Sequence, residues 1–285
     1  MSEAGRAGLP QAFFLPTPTG QRFCLFHPAQ GSRRQGSVLY LHPFAEELNT
    51  TRRVVARQAR ALAQAGFAVL QIDLLGCGDS ECEFADATWH AWLEDAQLAH
   101  HWLAEHAPGP RWLWGMRGGT LLATALAARL PHPSHLLLWQ PVINGQQMLQ
   151  QFLRLHAAGQ WLSEGNQGLG NGNTPAQALA AGASVDIAGY TLSPALAQGL
   201  SAARMQAPVS AAPGHLVWID TSTQPEPELS PAASTHLDTW RNAGWSVNAQ
   251  AVSAPAFWQT VGTDEAPALL GATLQALNAL REPTA

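Results

Sequence analysis

The sequence predicts an α/β protein: a mostly parallel sheet of about eight strands with helices on both faces. Two observations carry this. From Ser37 onward, short apolar runs of strand length alternate with segments of helical period. Such alternation builds right-handed βαβ units. In addition, 46% of the 285 residues are hydrophobic and only 12% are charged, enough apolar material to cover a sheet on both sides.

Two short runs, Ala12–Leu15 and Arg22–His27, are broken by a turn-rich Pro-Thr-Gly and predict an antiparallel hairpin at a sheet edge. Ser37–Leu41 is the next strand. A helix over Thr51–Ala65 carries Val54, Val55, Ala59, Leu62 and Ala63 on one face, with Thr50 or Thr51 as its cap and Gly66 at its stop. Phe67–Ile72 is a strand, and Ala87–His106 a long helix with Trp89, Trp92, Leu93, Ala96, Ala99, Trp102 and Leu103 at helical spacing. Arg111–Trp114 and His135–Trp139 are strands around a helix over Gly118–Arg129. His215–Ile219 and Val247–Val252 are two more strands, with helices at Pro231–Ala243 and Pro267–Leu280.

One stretch breaks the alternation. Residues 144–204 show no clear strand. They hold an amphipathic helix bearing Met148, Leu149, Phe152 and Leu153, then the Gly/Asn run GNQGLGNGN at 165–173. This predicts a lid inserted between core segments 1–143 and 205–285.

Composition excludes several chemistries. All 15 basic residues are arginine, so there is no lysine for a Schiff base, a pyridoxal-phosphate site, a phosphate loop or a Ser-Lys dyad. A net charge of −5 argues against a nucleic-acid binder. Three cysteines (Cys24, Cys77 and Cys82) are too few and too scattered for a disulfide framework or zinc cage. No cofactor or metal is expected. The N-terminus shows no secretory signal and no stretch reaches membrane-span length, so a cytoplasmic protein without membrane insertion is expected.

In parallel sheets ligands bind beyond the carboxyl ends of the strands. Three turns there carry motifs. Gly115-Met116-Arg117-Gly118-Gly119 lies between a strand and a helix, with glycines where a sharp turn needs them. Tyr40-Leu41-His42-Pro43-Phe44 ends another strand; Pro43 offers no N–H, which leaves the Phe44 and Gly118 amides as candidate oxyanion donors. His42 reads either as a histidine tying this loop down or as a base. Asp73-Leu74-Leu75-Gly76-Cys77-Gly78-Asp79-Ser80 is a glycine-shaped turn in which Cys77 is filler rather than nucleophile.

Together these turns resemble the α/β-hydrolase family, in which Gly-x-Ser-x-Gly forms the nucleophile elbow. Longer blocks, LHPFAEELNTTRR, QIDLLGCGDS, LWQPVINGQQMLQQFLRL and APAFWQT, resemble the bacterial group called exosortase A system-associated hydrolase 2. That resemblance spans about residues 10–280 and implies an α/β-hydrolase fold and a setting in exopolysaccharide or exosortase-linked cell-envelope work.

Against the family's triad, Arg117 stands at the serine position. Asp220 stands where the acid belongs, or is a strand-end cap. The loop Ser253–Trp258, where the histidine belongs, has none. Arg117 beside helix amides makes either an anion site or an internal ion pair with Glu46, Glu47 or Asp220. Arg52 and Arg53 either add charge at that rim or pair with Glu46 and Glu47. Tryptophans 112, 114, 139, 218 and 258 read mainly as core.

Three functions follow as expectations. The first is a protein of this fold, lacking serine chemistry, that binds a small anionic or acylated ligand through Arg117, Phe44, Gly118, His42, Glu46, Glu47 and Trp258. The second is a hydrolase with a non-standard mechanism, using His42 with Glu46, Glu47 or Asp220 as general base. The third is a scaffold whose lid meets a protein partner.

Overall fold

The computed structural model describes residues 8–163, 174–208, 213–260 and 265–280, with side chains at 155–163 excepted. The Gly/Asn run at 165–173 lies outside them. Ten strands run in chain order as β1 (Gln11–Thr17), β2 (Gly20–His27), β3 (Gly36–Leu41), β4 (Phe67–Ile72), β5 (Arg111–Met116), β6 (His135–Trp139), β7 (Val185–Ile187), β8 (Tyr190–Leu192), β9 (His215–Ser222) and β10 (Ser246–Ser253). The helices are α1 (Glu47–Gln64), α2 (Trp89–His106), α3 (Gly118–Ala127), α4 (Gly145–Ser163), α5 (Pro175–Ala180), α6 (Pro194–Ala202), α7 (Pro231–Asn242) and α8 (Pro267–Ala279).

Eight strands form one sheet in the order β1-β2-β4-β3-β5-β6-β9-β10. The β1–β2 and β2–β4 pairs are antiparallel; all others are parallel. This is the α/β-hydrolase fold. The central strands are buried on both faces, which is why they read as unbroken apolar runs. Along β3, Leu39 and Leu41 join the core cluster containing α2, α3 and α7 residues, while Val38 and Tyr40 join the one containing α1 and α8 residues. Trp112, Trp114, Trp139, Trp218 and Trp258 are all buried in these two cores.

The order β4-β3-β5 means that the chain steps one way from β3 through α1, then returns across β3 through α2. The ends of β3 and β5 therefore flank a crevice at the point where the winding reverses. Their register pairs Leu41 with Gly115, which sets the turns after the two strands side by side.

Two local expectations change. Helix α1 begins at Glu47 rather than near Thr51, and neither Thr50 nor Thr51 caps it. The Thr51 hydroxyl instead donates back to the Glu47 carbonyl at 2.7 Å, and the Thr50 hydroxyl to the Trp258 carbonyl at 2.9 Å. Residues 144–204 do contain strands: β7 and β8 form a short antiparallel hairpin. The expected amphipathic helix is α4, with Met148, Leu149, Phe152 and Leu153 buried. An antiparallel bridge between Asn144 and Arg204 brings the two ends of this segment together.

Candidate functional site

The turn after β5 holds the central residue of the site. Gly119 is required because a Cβ there would strike the carbonyl oxygens of Leu41 and His42; a Cβ on Gly115 would lie 2.7 Å from the Gly119 carbonyl oxygen. The strand end and the helix start are thus packed backbone to backbone. Between them Arg117 adopts φ 51°, ψ −123°, a conformation that costs a residue with a Cβ about 1–3 kcal/mol. The Arg117 amide donates to the Trp139 carbonyl at 3.0 Å, and its carbonyl accepts from the Thr120 hydroxyl at 2.6 Å. Thr120 in turn accepts from the Val142 amide at 3.0 Å, tying the elbow to the loop after β6.

The Arg117 side chain projects from this turn toward α1. Its Nε donates to Glu47 Oε1 at 3.1 Å, and its guanidinium carbon sits 5.3 Å from the centroid of the Trp258 ring. Trp258 is fixed in place by Thr50, whose hydroxyl donates to its carbonyl at 2.9 Å. Arg117 and Glu47 are 18% and 17% exposed, so the pair sits at the rim of the core. Burial pushes the Glu47 carboxyl up to about 7, although the neighbouring guanidinium pulls the other way.

Phe44, Glu46, Glu47, Arg117 and Trp258 all line one cleft of about 670 Å³. His42 and Gly118 do not line it; they face a much smaller apolar pocket beside it. Phe44 and Met148 line both. Met148 covers the elbow: a Cβ on Gly118 would meet its Sδ at 3.1 Å. Met148, Phe152 and Arg154 of α4 complete the cleft wall and were not among the expected site residues. The apolar stripe of α4 was visible in the sequence, but not which part of it meets the elbow.

Other candidates are placed elsewhere. His42 has both ring nitrogens engaged: Nδ1–H donates to the Pro43 carbonyl at 2.8 Å, and Nε2 accepts from the Leu74 amide at 3.3 Å. These partners fix one neutral tautomer. Burial also lowers its pKa, so it ties the loop down and offers no lone pair for base work. Asp220 lies within β9, not beyond it, and accepts from the Trp218 indole at 2.9 Å. Burial raises its carboxyl to about 6; the carboxylate paired with Arg117 is that of Glu47. Arg52 pairs with Asp73 at 3.1 Å and Arg53 with Glu265 at 3.2 Å, while Glu47 pairs with Arg117. Cys77 is buried and its thiol is pushed well above the ordinary range, as suits turn filler.

Among the described residues, no group of three or more His, Cys, Asp or Glu is placed to hold a metal ion, and no helix is long and apolar enough to cross a membrane.

Comparison with known proteins agrees with this architecture. Over 94% of the chain, the structure resembles Est1E of Butyrivibrio proteoclasticus with bound ferulic acid, covering 97% of that protein with a TM-score of 0.62 at 14% identity. A thermostable carboxyl esterase of Bacillus coagulans gives a TM-score of 0.62 at 14% identity over 96% of this chain and 99% of that one. A monoglyceride lipase of Saccharomyces cerevisiae gives 0.60 at 12% identity, covering 96% and 97%. At such identities the likeness is one of fold. Among curated sequences, the uncharacterized protein RP471 of Rickettsia prowazekii (strain Madrid E) is 30% identical over 109 residues, 38% of this chain and 44% of that protein. The chain thus matches less than half the length of that relative. The family of serine aminopeptidases S33 matches residues 32–178, more than half of the chain and inclusive of β3, the elbow and α4. With its sheet order and elbow geometry, the chain belongs to the serine aminopeptidase S33 family of α/β hydrolases.

Proposed function

We propose that this protein keeps the hydrolase scaffold but binds its ligand instead of cleaving it by serine chemistry. One observation carries the reading: the elbow position is occupied by Arg117, held by Glu47 and lying over Trp258. An acyl-transfer mechanism needs a nucleophile and a base at that spot. A guanidinium is neither, and the loop after β10 that presents Trp258 contains no histidine.

The ligand is a small anionic or acylated molecule seated in the cleft beside Arg117, with residues 144–204 as the lid over it and as the surface for any protein partner. Cell-envelope work linked to exosortase and exopolysaccharide is the proposed setting. In support, three of the four sequence blocks that carry that resemblance converge on this cleft. They supply Phe44, Glu46 and Glu47 from one, Met148, Phe152 and Arg154 from another, and Trp258 from the last.

The test is direct. The protein should leave short p-nitrophenyl esters intact and escape labelling by a fluorophosphonate probe. Arg117→Ser should be equally inert, because a serine hydroxyl without a base stays a weak nucleophile. Turnover that a single serine substitution abolishes would overturn the reading.

One observation favours a second reading, an active hydrolase of non-standard mechanism. Glu47, with its carboxyl near 7, borders the cleft and has the acidity of a general base for water. Ester hydrolysis insensitive to fluorophosphonate but lost in Glu47→Gln would select it.

A further inference from the structure

Arg117 presents a donor edge that none of the described residues uses. Its Nε is taken by Glu47, while its terminal Nη1 and Nη2 have no acceptor among the described residues. The Trp258 ring closes one face of the guanidinium, and the group borders the cleft of about 670 Å³. Two coplanar N–H donors on one guanidinium edge match the two oxygens of a carboxylate.

Beyond that edge the wall is apolar. Phe44, Met148 and Phe152 line it, with the Phe44 and Phe152 rings edge to face and centroids 5.0 Å apart. Arg154 adds a second positive charge at the lining, and Glu46 and Glu47 add carboxyls. A dianionic head beside two carboxyls meets more repulsion than a monoanion does. With the Glu47 carboxyl held near 7 by burial, part of the population is neutral near physiological pH, and the guanidinium is then incompletely compensated.

We infer that the cleft binds single-chain carboxylates, the head group on the Nη edge of Arg117 and the chain along Phe44, Met148 and Phe152. This rests on the reading of a non-hydrolysing protein and names its ligand class.

Calorimetry on the full chain at pH 7 tests it, using acetate, butanoate, octanoate, octanol and octyl phosphate. Affinity should rise with chain length, by up to about fourfold per methylene. Octanoate should bind roughly ten- to a hundredfold tighter than octanol, the margin of a charge-assisted hydrogen bond. In Arg117→Met that margin should vanish while octanol binding stays. Equal affinity for octanoate and octanol in the wild type would overturn the inference without recourse to any variant. So would tighter binding of octyl phosphate, or undiminished octanoate binding by the Met variant. Labelling of a serine by the fluorophosphonate probe would instead sink the reading beneath it. Absence of octanoate selectivity in the wild type, with no labelling, leaves that reading standing and removes the inference alone.

Discussion

Two arginine–carboxylate pairs in this molecule are built to different plans. Arg22 on β2 is fully buried and pairs with Asp95 of α2 at 2.7 Å. Its remaining nitrogens are also engaged: Nη2 donates to the Thr19 hydroxyl at 2.7 Å, and Nη1 to the carbonyls of Thr19 and Gln21 at 3.4 Å. Asp95 accepts in addition from the Leu75 amide at 2.8 Å, which pins the turn after β4. Arg117 is part-exposed, uses one nitrogen on Glu47 and lies on an indole. An arginine that serves the fold has its donors consumed by the protein, because a buried unpaired donor is costly. Arg117 leaves an edge toward a cleft, and its backbone is strained as well. Stability alone does not account for such an arrangement, and the proposed ligand would.

The sharpest way to break this comparison is to delete the buried cation. Arg22→Met strands Asp95 without its partner and should cost about 3–5 kcal/mol of unfolding free energy, read as a lower urea midpoint. A loss below about 1 kcal/mol would mean that the two pairs do not differ in kind.

Glu47 sharpens the comparison from the other side. Its carboxyl sits at about 7 in the folded protein, above its ordinary 4.5. Between those values the folded state holds a proton that the unfolded chain has released. The stability from protonated Glu47 is therefore fully present below about pH 4.5 and lost as pH rises through about 7. Buried histidines oppose this trend: His27, His100 and His135 are each lowered to about 4 by burial, so their contribution is present above pH 6.5 and lost as pH falls toward 4. A difference measurement cancels them. Relative to Glu47→Gln, the wild type should lose about 1–3 kcal/mol between pH 5 and pH 8 in urea unfolding. A flat difference would place Glu47 in ordinary solvated pairing with Arg117.

What could be read from the sequence divides along the range of the forces involved. The elbow was legible because Gly115 and Gly119 answer to local backbone contact, and so was the Asp73–Ser80 turn. The sequence alone does not choose the partner of Arg117 among Glu46, Glu47 and Asp220. It is set by the Leu41–Gly115 register and by where α1 starts, and both are long-range outcomes. Asp220 stands at the end of an apolar run, yet its alternation with Ile219 carries it to the Trp218 side, toward α7, where it accepts from the Trp218 indole. The β7–β8 hairpin leaves little trace in the sequence because its strands have three residues each and turn on Ala188-Gly189. Positive φ at Ala188 is not a signal that alanine advertises.

The smallest expected effect is the most discriminating. Arg117→Met keeps an unbranched stem against Trp258 and the same Cβ in the strained elbow, and removes only the guanidinium. If Arg117 were structural in the manner of Arg22, its loss would cost several kcal/mol. Here the partner left behind is Glu47, a carboxyl already held near 7, which takes up a proton instead of standing as a buried charge. At pH 6, unfolding free energies of wild type and Arg117→Met should therefore agree within about 1 kcal/mol, the ordinary worth of a part-exposed ion pair. The gap should widen at pH 8, where the variant must either bury an unpaired carboxylate or keep the proton at a cost. Loss of about 3 kcal/mol or more at pH 6 would put Arg117 with Arg22, and the unused edge would then have no claim as a binding group.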